Sequence, residues 1–179
     1  QATEVAPRLP VDLDRRWGLA VSLNRFSSPA AAALVDEMSK QDTSDRGRKN
    51  ALSAEAVRPE YAVKQKWVNT LKLAKPNVSL AEAWAVLGAL FPVEQRDLAQ
   101  RFKTDFYDYL KANGNSQNEM FVRSFTGSLM PLTCEESNSS TLQSFLNAHP
   151  GFSPGVTKAI KVGIQEDLRC QKIRAASAL

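Results

Sequence analysis

The sequence predicts an all-α fold, with antiparallel helix pairs stacked as a HEAT-like or ARM-like solenoid, an α-α superhelix. Apolar residues recur at three-to-four spacing along nearly all of the chain. No sustained apolar-polar alternation marks a strand, and the links between periodic segments are short, which implies antiparallel neighbours. No strict sequence period accompanies them, so the solenoid is an expectation about packing.

Residues 1–10 read as an extended leader or linker from an upstream domain, rich in Pro at Pro7 and Pro10, and residues 11–179 as a single helical domain. A first helix is expected from Val11 to Phe26, with Asp12 and Asp14 at its positive end and Leu13, Trp17, Ala20, Val21 and Asn24 along one face. Ser28 before Pro29 reads as a cap and first helical residue, opening a second helix through Leu34, Val35 and Met38 to Gln41 and Asp42. The third starts at Thr43 or Ser44 and stops before Pro59. Pro59 opens a fourth, with Val63, Trp67 and Leu71, and Pro76 and Asn77 break the chain again.

Ser79 with Glu82 forms a capping box for a fifth helix, Ala83 to Phe91, so apolar all round that it is expected to lie deepest. Beyond Pro92, Leu98, Phe102, Phe106 and Leu110 make one seam on a sixth helix closed by Asn113 and Gly114. Met120, Phe121, Phe125 and Leu129 mark a seventh. Thr133 with Glu136 repeats the capping box for an eighth, with Leu142, Phe145 and Leu146. After Pro150 and Gly151, Ser153 and Pro154 open a ninth, with Ile160, Ile164 and Leu168, ending in the basic turn of Lys172 and Arg174. Trp17, Trp67 and Trp84 all fall on apolar faces and are expected in the core.

Chemistry-bearing residues are few. Hydrophobic residues at 43% and charged residues at 23% are ordinary for a globular chain, and no apolar run is long enough to span a membrane. A net charge of +4 spread along the chain argues against a nucleic-acid partner. The lone histidine, His149, lies in a turn and cannot complete a zinc-peptidase pair, and its spacing from Cys134 and Cys170 matches no compact zinc site. No base for a serine nucleophile is identifiable beyond His149, so no catalytic or metal-ligating residue, and no cofactor, is assigned to this chain. If the eighth and ninth helices pair antiparallel around Pro150 and Gly151, Cys134 falls opposite about Asp167, within one turn of Cys170. A disulfide and two reduced thiols are both open at this stage.

Leu13-Asp14-Arg15-Arg16-Trp17 and Gln41-Asp42-Thr43-Ser44-Asp45-Arg46-Gly47 resemble the D-x-R-W and D-x-S-x-x-G pattern of the C-terminal domain of bacterial aminopeptidase N enzymes, which is similar to that of endoplasmic reticulum aminopeptidases. Arg58-Pro59, Lys64-Gln65-Lys66-Trp67, Leu90-Phe91-Pro92, Phe106-Tyr107-Asp108 and the closing Gln165 to Arg174 follow in that family's order, across residues 11 to 174. The resemblance implies a non-catalytic lid over the substrate chamber of a zinc aminopeptidase. The zinc would belong to a separate catalytic domain of the same polypeptide, and the partners would be that domain and the peptide substrate. The isolated chain is expected to be monomeric. Arg58, Lys66 and Arg123 are candidate contacts for a peptide's C-terminal carboxylate, with ordinary solvated surface charge as the competing reading. The alternative function is a free-standing helical solenoid that binds a protein or peptide. The compartment is open between cytoplasm and bacterial envelope.

Overall fold

The computed structural model describes residues 4–6, 9–73 and 77–177, and side chains within 11–73 and 77–176. Pro7, in the expected leader, and Pro76, read as a break, lie outside the described residues. Where the sequence suggests one domain over 11–179, the packing separates into two compact units, Gln1–Leu90 and Phe91–Leu179. The fold is all α: ten α-helices are described, preceded by a short antiparallel pair of β1 (Glu4–Ala6) and β2 (Leu9–Pro10).

The first unit holds α1 (Leu13–Arg25), α2 (Ala31–Gln41), α3 (Asp45–Ala56), α4 (Tyr61–Lys72) and α5 (Leu80–Leu90). Helix α1 starts where Asp12 accepts the Arg15 N–H at 2.9 Å. It packs on α2 and α3 through Trp17, Ala20 and Met38, with Leu34, Val35 and Ala51 around them. Between α1 and α2 the chain turns through Ser27 at φ 55°, a left-handed residue without a glycine's freedom. The Ser28 carbonyl accepts the Ala31 N–H at 3.0 Å, so Pro29 lies in a turn and α2 begins later than the Ser28-Pro29 pair suggests.

The Ser79 and Glu82 capping box forms as expected, Ser79 N–H donating to Glu82 Oε2 at 2.8 Å and Glu82 N–H to Ser79 Oγ at 3.3 Å. Helix α5 is not buried all round. Ala83, Val86, Leu87 and Leu90 face α3 and α4, whereas Leu80 and Trp84 are exposed, Trp84 by 39%. Trp84 therefore leaves the expected core, while Trp17 and Trp67 stay in it.

The deepest polar group of this unit is Lys64. It is fully buried, and its Nζ donates to the carbonyls of Ala56 at 2.6 Å and Leu90 at 2.5 Å, the last residues of α3 and α5. Both helices end in unpaired carbonyls and a partial negative charge, and one ammonium satisfies both ends.

The second unit holds a 3-10 turn at Val93–Gln95, then α6 (Arg96–Gln100), α7 (Lys103–Asn113), α8 (Glu119–Leu129), α9 (Glu136–Ala148) and α10 (Pro154–Ser177). The single sixth helix of the sequence reading is split at Arg101 and Phe102, where Phe102 leaves helical geometry at φ −103°, ψ 12°. Its seam survives the break, since Phe102, Phe106 and Leu110 are all buried. Met120, expected on the core face of α8, is 62% exposed, and Phe121, Val122, Phe125 and Leu129 carry the packing there. Helix α10 lies against α8 and α9 through Val156, Ile160 and Ile164. Glu119 on α8 accepts the Gly155 N–H at 2.6 Å, setting a carboxylate on the positive end of α10.

Replacing Lys64 by Met should destabilise the first unit by roughly 3 kcal/mol, because two buried carbonyls lose a charged donor. Urea unfolding followed by Trp fluorescence measures it, and a change below about 0.5 kcal/mol would contradict the capping role.

Candidate functional site

Three places carry polar architecture beyond ordinary packing: a knot at the start of α3, a groove beside it, and a cross-linked corner in the second unit.

The knot is built by the two segments that resemble the family pattern. Trp17 Nε1 on α1 donates to Asp42 Oδ2 at 2.9 Å, and Asp42 Oδ1 accepts from Ser44 through its hydroxyl at 2.5 Å and its N–H at 3.2 Å. Ser44 in turn caps α3 by accepting the Gly47 N–H at 3.0 Å. A Cβ at Gly47 would stand 2.2 Å from the Asp42 carbonyl oxygen, so only glycine lets the chain close on itself there. Arg16 completes the clasp, donating to Glu37 at 2.7 Å and Gln41 at 2.6 Å on the last turns of α2. The hydrogen bonds from Ser44, and next from Trp17, hold the Asp42 carboxyl below its ordinary value of 3.8.

The groove is a cleft of about 720 Å³ between α2, α3 and the turn at Ser27. Ala31, Val35, Ala51 and Leu52 floor it, and Asp36, Arg48, Glu55, Arg58, Glu60 and Glu82 stand around its rim. Arg58 is thus at the groove, but its guanidinium is engaged: Nε and one terminal nitrogen donate to Glu60 Oε1 at 3.0 and 2.6 Å. Lys66 is outside the groove lining, paired with Glu55 at 2.6 Å and lying 4.9 Å from the centre of the Trp67 ring. Arg123 is exposed on α8, in the second unit. Arg58 and Lys66 share one neighbourhood through Glu55 and the groove; Arg123 belongs to another unit.

In the second unit Cys134 and Cys170 form a disulfide, with Cα atoms 5.4 Å apart. Cys134 precedes α9 with φ 64°, and its N–H donates to Asp167 Oδ1 at 2.7 Å. Asp167, only 2% exposed, also accepts from Asn138 at 2.9 Å and Ser139 at 3.2 Å, both in the first turn of α9. The expected Thr133 and Glu136 capping box does not form; Glu135 is the cap residue, and Thr133 Oγ1 is buried without a partner. Arg96 Nη1 lies 3.9 Å from Cys170 Sγ. His149 sits in its turn between aromatic rings, 4.4 Å from Phe145 and stacked on Phe152 at 5.0 Å, with Nδ1 2.7 Å from the Phe145 carbonyl oxygen.

Among the described residues no group of three or more His, Cys, Asp or Glu is placed to hold a metal ion. No helix among them is long and apolar enough to cross a membrane. The polar groups found here bind backbone and cap helices, which makes them builders of shape. Sequence reasoning passed over the burial of Lys64 and Asp167, the two buried charges among the described residues. The available signal for Lys64 was its position in register with the apolar stripe of Trp67, Val68 and Leu71.

No protein-family model matches this chain, and no curated protein matches it in sequence.

Two outcomes follow from these geometries. The unreduced protein should take up no alkylating label at its two cysteines, and changing both to Ser should cost roughly 4 kcal/mol on the loop-entropy account, read by urea unfolding. For Asp42, the folded-state carboxyl is more acidic than the unfolded one. Its contribution to stability is therefore complete above about pH 4, the usual carboxylate range, and is lost as pH falls through the depressed value. The Trp17 indole N–H resonance should shift with that acid step, and in Asp42→Asn the step should vanish.

Proposed function

We propose that this chain is the non-catalytic helical lid of a zinc metallo-aminopeptidase, closing over the substrate chamber of a catalytic domain on the same polypeptide and touching the peptide held there. The observation that carries this reading is the convergence of the D-x-R-W and D-x-S-x-x-G segments on one contact, Trp17 with Asp42. Two short matches separated in sequence are weak singly. Their side chains lock together α1, the end of α2 and the start of α3, so they act as one structural element.

The later segments of the resemblance support it in the same way. Lys64, from the Lys64-Gln65-Lys66-Trp67 segment, ties α3 to α5, and Asp167 and Cys170, from the closing segment, tie α10 to the start of α9. What these residues preserve is a shape, as a lid requires. Zinc, the hydrolytic water and recognition of the free N-terminus are assigned to the partner domain. The disulfide supports an oxidising compartment such as the bacterial envelope.

A free-standing scaffold is the second reading, favoured by the groove beside α2 and α3, whose apolar floor and charged rim suit a peptide.

The pure chain should release no N-terminal residue from a fluorogenic substrate, with or without zinc. Within the whole polypeptide, Arg58→Ala, Lys66→Ala and Arg123→Ala should together raise KM for peptides several-fold more than for single-residue amides. An equal effect on both substrates would remove the carboxylate-binding role. Zinc-dependent release by the pure chain would remove the lid reading, and tight peptide capture by the chain alone would favour the scaffold.

A further inference from the structure

The charge of this protein is not where its sequence distribution suggests. Helix α10 carries five Lys and Arg against Glu166 and Asp167. Asp167 is buried and held by Cys134, Asn138 and Ser139, so the exposed side chains of α10 carry a net +4, equal to that of the whole chain. Lys158, Lys161, Arg169 and Lys172 are spaced by three, eight and three residues with Gln165 between, and all are exposed. At 100° per residue they fall within a sector of about 80° on one side of the helix, over a length of about 21 Å at 1.5 Å per residue. Of the four, only Arg169 has an ion-pair partner among the described residues, Glu166 at 3.2 Å.

We infer that the exposed face of α10 docks an acidic polypeptide segment, a helix or strip of another protein surface with carboxylates at matching three-to-four spacing. Charge complementarity selects the partner: three unpaired lysines and an arginine on one side of the helix make a positive ridge, which steers and registers a negative one. An anionic membrane is less well matched. A helix that lies on lipid inserts a continuous apolar stripe; in α10 Val156, Ile160 and Ile164 are buried, and the exposed Val162, Leu168 and Ile173 are separated by Gln165, Glu166 and Arg169 and make no such stripe. The inference rests on α10 alone and is independent of the lid reading.

The test uses the whole chain and a labelled synthetic helical peptide with Glu at three-to-four spacing, followed by fluorescence anisotropy. Binding is expected at low salt and should weaken about tenfold as salt is raised through the physiological range. Lys161→Glu with Lys172→Glu should weaken it at least about tenfold. Lys40→Glu with Lys103→Glu, which changes the net charge by the same amount at exposed sites elsewhere, should change it less than about twofold. Circular dichroism melts establish that both variants fold, and the wild-type salt series stands by itself if one does not. Equal weakening in the two variants, no peptide binding at low salt, or tighter binding to phosphatidylglycerol vesicles or duplex DNA than to the peptide would each overturn the proposal.

Discussion

A single buried ammonium organises the first half of this molecule. Lys64 has no exposed surface, and it holds the carbonyl ends of α3 and α5 together. An uncompensated cation in such a place would cost many kcal/mol, so the two helix ends must be delivered to it in register. That requirement fixes where α3 and α5 stop, and with them the short loops that follow. Arg58 and its partner Glu60 sit in the first of those loops, so the rim of the groove is positioned by the lysine although Lys64 does not line it. Helix α4 contributes the lysine and packs Trp67, Val68 and Leu71 on the same side, so the polar anchor and the apolar face close as one surface.

The second unit solves the converse problem with the opposite charge. Asp167 is nearly as buried as Lys64 and meets a helix beginning, where N–H groups are unpaired and the dipole is positive. Its bond to the Cys134 N–H holds a non-glycine residue in the left-handed region, an arrangement that costs about 1 kcal/mol or more without outside support. The disulfide three residues further along α10 supplies that support covalently. Among the described residues each unit thus carries one buried charge that joins elements distant in sequence.

What was legible from the sequence follows the range of each interaction. The Ser79 and Glu82 box and the start of α3, which the sequence places at Thr43 or Ser44, are local, so residue type at the right offset suffices to read them to within a residue. The alignment of Cys134 with Asp167 needs only antiparallel pairing across a short turn, and counting outward from Pro150 reaches it. The Thr133 and Glu136 box had the same local signature as the Ser79 box and did not form: α9 begins at Glu136 with Glu135 as its cap residue, and the segment before it is held from 33 residues away by the bond from Cys134 to Asp167. The split between α6 and α7 was hidden for a related reason. Phe102, Phe106 and Leu110 keep their spacing across the break, and periodicity records which face is buried without recording whether the backbone between is helical. Trp84 misled through its size: it sits on an apolar helix, yet α3 and α4 cover only the opposite side.

The buried lysine was overlooked by a subtler route. Lys64 and Lys66 are two positions apart, which on a helix places them on nearly opposite faces. Reading cations as surface groups chose Lys66, which is indeed outside and paired with Glu55. The same habit averages charge over sequence, and a modest +4 then looks dilute. Folding undoes the averaging in both directions: it withdraws Lys64 and Asp167 from solvent, and it aligns the lysines of α10 along one ridge. The quantity that governs which partners this surface admits is therefore charge per exposed face, and that depends on which few ionic groups the core has taken inside.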